Sequence, residues 1–351
     1  MSGAGESAST SIQNSLPTLV AASLEREWSR WPGMRESFSP RQLRQTAEDT
    51  SYHLQFVASA LWFEEQALLD DYVIWCKVLF ANLGMPAEWI TGSLECISES
   101  LGDALPPIEE HLACAYIDRA LEAFHKASTE SSSFIAPGSP LGELARAYLQ
   151  SALAGDRFAA VQMLVDAVEG GTSIREIYAQ VFQPTQREIG RLWQLNQVSV
   201  AREHYVTAVT QVAMARLYEH IFAPPTSDRT LVVACVGGEL HELGARMVAD
   251  FFEMDRWNSH YLGANTPNTA IIEAVREANA DVLALSATMS FHVGRVAEVI
   301  EMLRSDDAIK NTKVLVGGYP FNLAPELWQR VGADGYASSA EEASEVAEAL
   351  L

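Results

Sequence analysis

The chain has 351 residues, 48% of them hydrophobic and 20% charged, which allows two or three domains with their own cores and excludes wholesale disorder. Its 46 acidic residues outnumber 24 basic ones, and the resulting charge of -22 is spread along the sequence, so direct nucleic-acid binding is not expected. Residues 1–15 lack the basic start and apolar run of a secretory signal, and no later stretch offers about eighteen uninterrupted apolar residues, so a cytoplasmic protein that does not enter the membrane is expected.

In chain order, residues 1–15, rich in Ser, Gly and Ala, read as a flexible start. Residues 16–126 carry helical periodicity, clearest over 43–61 and 65–83, where Tyr72, Trp75, Val78 and Leu79 recur at three- and four-residue spacing before Gly84 and Pro86. An all-helical domain is predicted there. Residues 127–140 contain six Ser or Thr with two Pro and a Gly, a linker composition. Residues 141–222 then break at Ala154-Gly155-Asp156, at Gly170-Gly171 and at Asn196, which predicts a four-helix bundle with short connections. A second linker is expected over 223–229.

From residue 230 to 351 the pattern changes. Short β-rich runs at 231–236, 259–262, 282–286, 314–316 and near Tyr336 alternate with amphipathic helices, which predicts a flavodoxin-like, Rossmann-type sheet of five parallel strands. The whole is a multidomain α plus α/β chain. In such sheets ligands bind at the carboxyl ends of the strands, so the loops after the strands are where chemistry is sought. The four cysteines, Cys76, Cys96, Cys114 and Cys235, lie far apart in apolar patterns and are assigned to packing.

The loop after the first strand reads Glu239-Leu240-His241-Glu242-Leu243-Gly244. An imidazole there can ligate a metal through one nitrogen while a carboxylate two residues earlier accepts the other N–H, which fixes the tautomer and raises ligand basicity. Gly244 leaves room for a flat ligand at the helix start, and Gly317-Gly318 after the fourth strand removes side chains where something lies close. With Ser286-Ala287-Thr288 after the third strand, these motifs resemble those of the cobalamin-binding fold, D-x-H-x-x-G, S-x-L and G-G in the same order. The resemblance covers about 120 residues and departs in Glu239 for Asp and Thr288 for Leu. It implies that His241 is the lower axial ligand of cobalt, that Glu239 orients it and that Ser286 faces the cofactor's nucleotide tail.

Within the bundle, Trp193 is followed after nine residues by Glu203-His204. Alone, these read as a core indole and a solvated helix pair. Together they resemble the cap of CarH-type cobalamin photoreceptors, which implies that Trp193 covers the upper face of the corrin, that Glu203 and His204 contact a 5'-deoxyadenosyl group, and that the cofactor is adenosylcobalamin. Gln194 stands where that pattern has a histidine able to ligate cobalt after photolysis, so the ligand in the light state is left open.

No basic helix-turn-helix precedes the bundle. Instead Asp49-Thr50-Ser51-Tyr52-His53-Leu54, Leu61-Trp62-Phe63 and Asp71-Tyr72-Val73-Ile74-Trp75 resemble the helical region of photocobilins, which pair cobalamin with biliverdin. The resemblance implies a non-covalent bilin, with Tyr52, His53, Trp62 and Trp75 as candidates to line its slot and Arg35, Arg41 or Arg44 near its propionates. The expected protein is a non-enzymatic light sensor without catalytic residues, signalling through a light-dependent homo-oligomer or a protein effector. Two alternatives share the cobalamin motifs: a corrinoid carrier or methyltransferase subunit, and a cobalamin-dependent anti-repressor without a bilin.

Overall fold

A computed structural model describes residues 3–221 and 223–351, so Met1, Ser2 and Phe222, the last residue expected in the bundle, lie outside the described residues. The chain divides into two units. One holds the described residues through Thr129 together with Met289–Gly294; the other holds Glu130–Thr288 and Arg295–Leu351.

The first unit is helical: α1 (Gly3–Asn14), α2 (Leu16–Arg30), α3 (Pro32–Ser37), α4 (Pro40–Trp62), α5 (Ala67–Asn82), α6 (Ala87–Ala104) and α7 (Pro107–Lys126). The flexible start expected over residues 1–15 is corrected by α1, which buries Gly5, Ala8, Ser9 and Ile12 on one face. Small residues at helical spacing let this helix come close to its neighbour: a side chain at Gly5 would meet the Leu61 carbonyl oxygen at 2.6 Å. The Ser and Ala content that suggested disorder is therefore a packing surface. Helix α4 starts at a capping box between Ser39 and Gln42 with Pro40 in its first turn, and α5 stops before Gly84, whose φ is 69°. The six-residue segment Met289–Gly294 belongs to this unit through a 3₁₀ turn, Ser290–His292, packed on α4.

In the second unit the predicted linker over residues 127–140 is pinned along its later part. Glu188 accepts the Phe134 N–H at 2.9 Å, Arg191 donates to the Ser131 carbonyl at 3.1 Å, and Ile135 is buried in the bundle core. Ile135 and two hydrogen bonds with the third helix of the bundle dock it together. The bundle consists of α8 (Gly142–Leu153), α9 (Arg157–Glu169), a third helix formed by α10 (Ile174–Ile177), a π-turn (Tyr178–Phe182) and α11 (Gln183–Gln194), and α12 (Val200–Leu217). Its turns fall at Gly155, Gly171 and Asn196, each with positive φ, as the punctuation of the sequence predicts.

The sheet that follows contains β1 (Thr230–Cys235), β2 (Asn258–Tyr261), β3 (Val282–Ser286), β4 (Lys313–Gly317) and β5 (Gly335–Tyr336), all parallel, in the order β2-β1-β3-β4-β5. That is the flavodoxin-like order, whose switch point lies between β1 and β3. Its helices are α13 (Leu243–Met254), α14 (Asn268–Ala278), α15 (Val293–Arg304), α16 (Tyr319–Leu323), α17 (Leu327–Arg330) and α18 (Ala340–Leu350). The strands β1, β3 and β4 are buried almost throughout, which explains their continuous apolar runs, whereas the edge strand β2 alternates exposed and half-buried residues.

The bundle packs on α13. Met247 and Phe251 enter the bundle core, Tyr178 donates to the buried Asp250 at 2.6 Å, Arg175 meets Asp255 at 2.5 Å and Tyr218 donates to Glu253. The π-turn carries Tyr178 to this contact. Burial raises the Asp250 carboxyl to about 6 although the tyrosine hydroxyl favours its charged form.

Candidate functional site

Three loops meet at the switch point. Register places Cys235 of β1 beside Ser286 of β3, and Ser286 beside Gly317 of β4, so the motifs read from the sequence end neighbouring strands. Glu239 is fully buried in the first loop. One of its oxygens accepts His241 Nδ1 at 2.6 Å and the His241 backbone N–H at 2.9 Å; the other accepts the Thr288 N–H at 2.7 Å. A carboxylate this deep is tolerable because several donors surround it.

His241 itself is open, with a side chain 61% exposed. The hydrogen bond to Glu239 holds its pKa above the ordinary histidine value, partial burial opposes the shift, and the charges of Glu239 and Glu203 add to it. Since Nδ1 faces Glu239, Nε2 is the nitrogen available to a metal. A side chain added at the neighbouring Gly244 would meet nothing within 4 Å, so the helix start beside the imidazole is open to a bulky group.

The glycine pair answers a different demand. At Gly318, φ is 109° and a Cβ would come within 2.0 Å of the Ala287 carbonyl oxygen. The close neighbour that excludes a side chain is thus the β3 loop of the protein itself. Thr288 binds Glu239 through its backbone, so the hydroxyl that replaces a leucine is not needed for that contact.

Helix α12 of the bundle reaches the first loop through Gln211 and Glu242. Trp193 is half-buried in the last turn of α11, and Glu203 and His204 stand in the first turn of α12 across the Asn196 turn. His204 Nδ1 lies 2.5 Å from Glu203, and the single proton of the Thr207 hydroxyl is shared between Gln186 Oε1 at 3.1 Å and the same carboxylate at 3.2 Å. Gln211 of α12 donates to Glu242 at 2.7 Å, and Tyr261 donates to the other Glu242 oxygen at 3.1 Å. Reading the sequence missed Gln186, Thr207, Gln211, Glu242 and Tyr261. Only Thr207, four residues after Glu203 on one helix, left a local signal.

In the helical unit, Tyr52 and His53 do come together with other rings. Buried His53 shares a 2.8 Å hydrogen bond with the Tyr72 hydroxyl, Phe56 stacks on Tyr72 with centroids 3.6 Å apart, and Tyr52 stacks on Phe291 at 5.9 Å. Burial lowers the His53 pKa to about 4, so the ring is neutral at physiological pH. Trp62 is half-buried at the end of α4 and Trp75 is 37% exposed on α5, while Arg35, Arg41 and Arg44 are exposed. Phe56 and Phe291 were not singled out in the sequence. Cys76 is buried and its thiol is pushed up to about 12 by burial.

Among the described residues no helix is long and apolar enough to cross a membrane. Comparisons with known proteins divide along the same lines as the fold. Residues 229–346 match the B12 binding domain family, residues 144–218 match a second family also described as a B12 binding domain, and residues 7–124 match the phycobilisome protein family. Dimethylamine corrinoid protein 3 of Methanosarcina mazei is 34% identical over 122 residues, covering 34% of this chain and 71% of that protein. Dimethylamine corrinoid protein 1 of Methanosarcina acetivorans is 27% identical over 195 residues, covering 55% of this chain and 90% of its own. The structure of the Methanosarcina barkeri monomethylamine corrinoid protein shares the fold, with a TM-score of 0.53 at 17% identity, over 60% of this chain and 100% of that one.

The residues present fit a corrinoid. An exposed imidazole is held by a buried carboxylate, and open space adjoins it at Gly244. With two B12 binding domain matches and curated corrinoid relatives over most of their length, the chain belongs to the cobalamin-binding corrinoid protein family.

Proposed function

We propose that this protein is a light sensor that holds adenosylcobalamin through His241 and a bilin, of the biliverdin class, in its amino-terminal helical unit. The observation that carries the reading is one chain in which a cobalamin module is joined to a helical region matching the phycobilisome protein family. When bound, adenosylcobalamin supplies a cobalt–carbon bond that visible light breaks. The protein's part is to bind and to cover. His241 offers Nε2 while Glu239 keeps the proton on Nδ1. With the cofactor bound, Trp193 would offer broad apolar cover, Glu203 and His204 would offer hydrogen bonds to ribose or adenine, and Ser286 would face the nucleotide tail. The bundle packs on α13 through Met247, Phe251 and Asp250, and a change in the cover it gives the cofactor would be passed to this contact and so to self-assembly or a protein partner.

For the bilin, the aromatic group around His53 and Tyr72 offers ring surface and a polar pair, with Trp62 and Trp75 on the same two helices and Arg41 and Arg44 in the first turns of α4 for propionates. A protonated, buried Cys76 favours a non-covalent mode.

A second reading has its own support. The curated relatives are corrinoid proteins named for dimethylamine, which favours a carrier that presents cobalamin to a methyltransferase. One experiment separates the two: absorption spectra of protein loaded in darkness with adenosylcobalamin and biliverdin, repeated after green light, with a sizing column on both samples. The sensor gives cobalamin bands that change on illumination, a separate red band and an altered elution volume. A light-stable cobalamin spectrum without a red band establishes the carrier, or an anti-repressor without a bilin.

A further inference from the structure

We infer that Phe291 and Ser59 are positioning residues for the cobalt ligand: they anchor the chain segment that follows Thr288, and through the Thr288 amide they hold Glu239 against His241. The links are contiguous. The Ser59 hydroxyl donates to the Ser290 carbonyl at 2.8 Å in a buried setting. The Phe291 ring stacks on Tyr52 at 5.9 Å and stands edge-on to Phe56 at 5.3 Å. Both contacts are internal to the helical unit, to which Met289–Gly294 belongs. Thr288, the residue before that segment, donates its N–H to Glu239, and Glu239 receives His241 Nδ1.

A backbone donor cannot reorient as a free side chain can. Its direction is set by where the chain goes next, and here the next residues are fastened by a hydrogen bond and two ring contacts. If that fastening loosens, the N–H withdraws from one carboxylate oxygen, and Glu239 loses one of the donors that fix its angle toward the imidazole while keeping the His241 backbone N–H on the other. Partners in this outer position commonly change metal affinity by about 10–100-fold when removed. The aromatic group that steadies Phe291 contains Tyr52 and Phe56, and Phe56 stacks on Tyr72, the partner of His53. Any occupant of that group therefore acts on the same segment, which would make the helical unit a regulator of cobalt ligation.

The inference rests on His241 being the cobalt ligand, and it is independent of light or bilin. Full-length wild type, Ser59→Ala, Phe291→Ala and Phe291→Tyr, each labelled at histidine with nitrogen-15, are loaded with hydroxocobalamin of natural abundance, their affinities are measured, and after reduction to the cobalt(II) state the nitrogen-15 splitting in the electron paramagnetic resonance spectrum is recorded. Expected are affinity losses on the order of tenfold in the two alanine variants, a fraction of cobalt without the nitrogen-15 splitting, and recovery in Phe291→Tyr. Ser59→Ala removes one hydroxyl and serves if Phe291→Ala does not fold. Unchanged affinity and splitting in a folded Ser59→Ala or Phe291→Ala protein overturns the inference while leaving the ligand assignment intact. Absence of the nitrogen-15 splitting in wild type instead overturns the assignment on which it rests.

Discussion

At the scale of single residues, the site depends on one buried charge. Glu239 is fully buried, so replacing its partner leaves a carboxylate short of a donor, while replacing the carboxylate leaves an imidazole without orientation. His241→Ala is expected to lower cobalamin affinity at least about 10-fold and to shift the bound cofactor toward the spectrum of a form lacking the lower base. An unchanged spectrum would show that the ligand is another group. The proton and cobalt compete for the same imidazole. His241 has a raised pKa, chiefly from the hydrogen bond with Glu239, so its contribution to stability without cofactor is present below the unfolded value near 6.5 and fades as pH rises through the higher folded value. Ligation follows the opposite sign: acid favours release of the histidine and neutral pH favours coordination.

At the scale of elements, helix α13 links the axial histidine to the bundle, starting two residues after His241 and meeting the bundle at Asp250, Glu253 and Asp255. Asp250 is the sensitive point because burial raises its pKa to about 6 from 3.8. A raised acid contributes stability that is present below the unfolded value and lost as pH climbs through about 6, because the buried site disfavours the charged carboxylate even though Tyr178 donates to it. Thermal melts of Asp250→Asn should lose the part of the pH dependence that wild type shows between about 4 and 6; parallel curves for the two proteins would mean that Asp250 does not titrate there.

The same scale shows what was legible beforehand. Strand and helix alternation, the three bundle breaks at Gly155, Gly171 and Asn196, and the loop motifs could be read because each is local chemistry repeated at a fixed spacing. Helix α1 and the docked segment around Ile135 could not, since their order comes from surfaces supplied by distant elements. The π-turn is followed by Pro184, which cannot donate into the helix ladder, but its use appears only with Asp250 opposite Tyr178.

At the scale of the molecule, the cobalamin module was recognisable from motif order, and its family follows from corrinoid relatives at 30% identity or more that the chain covers over more than two thirds of their length. The segment Met289–Gly294 had no comparable signal. Its residues continue the sheet domain in sequence yet pack with the helical unit, a placement that only the fold reveals. Everything proposed for the bundle, for light and for the helical unit presupposes that cobalt is held by the protein's own imidazole. The most direct measurement is the electron paramagnetic resonance spectrum of the cobalt(II) cobalamin complex made with protein labelled at histidine with nitrogen-15 and cofactor of natural abundance. Ligation by His241 predicts a doublet splitting from the labelled nitrogen, lost in His241→Ala. A triplet from nitrogen-14 would mean that the cofactor keeps its own base, and would contradict the account.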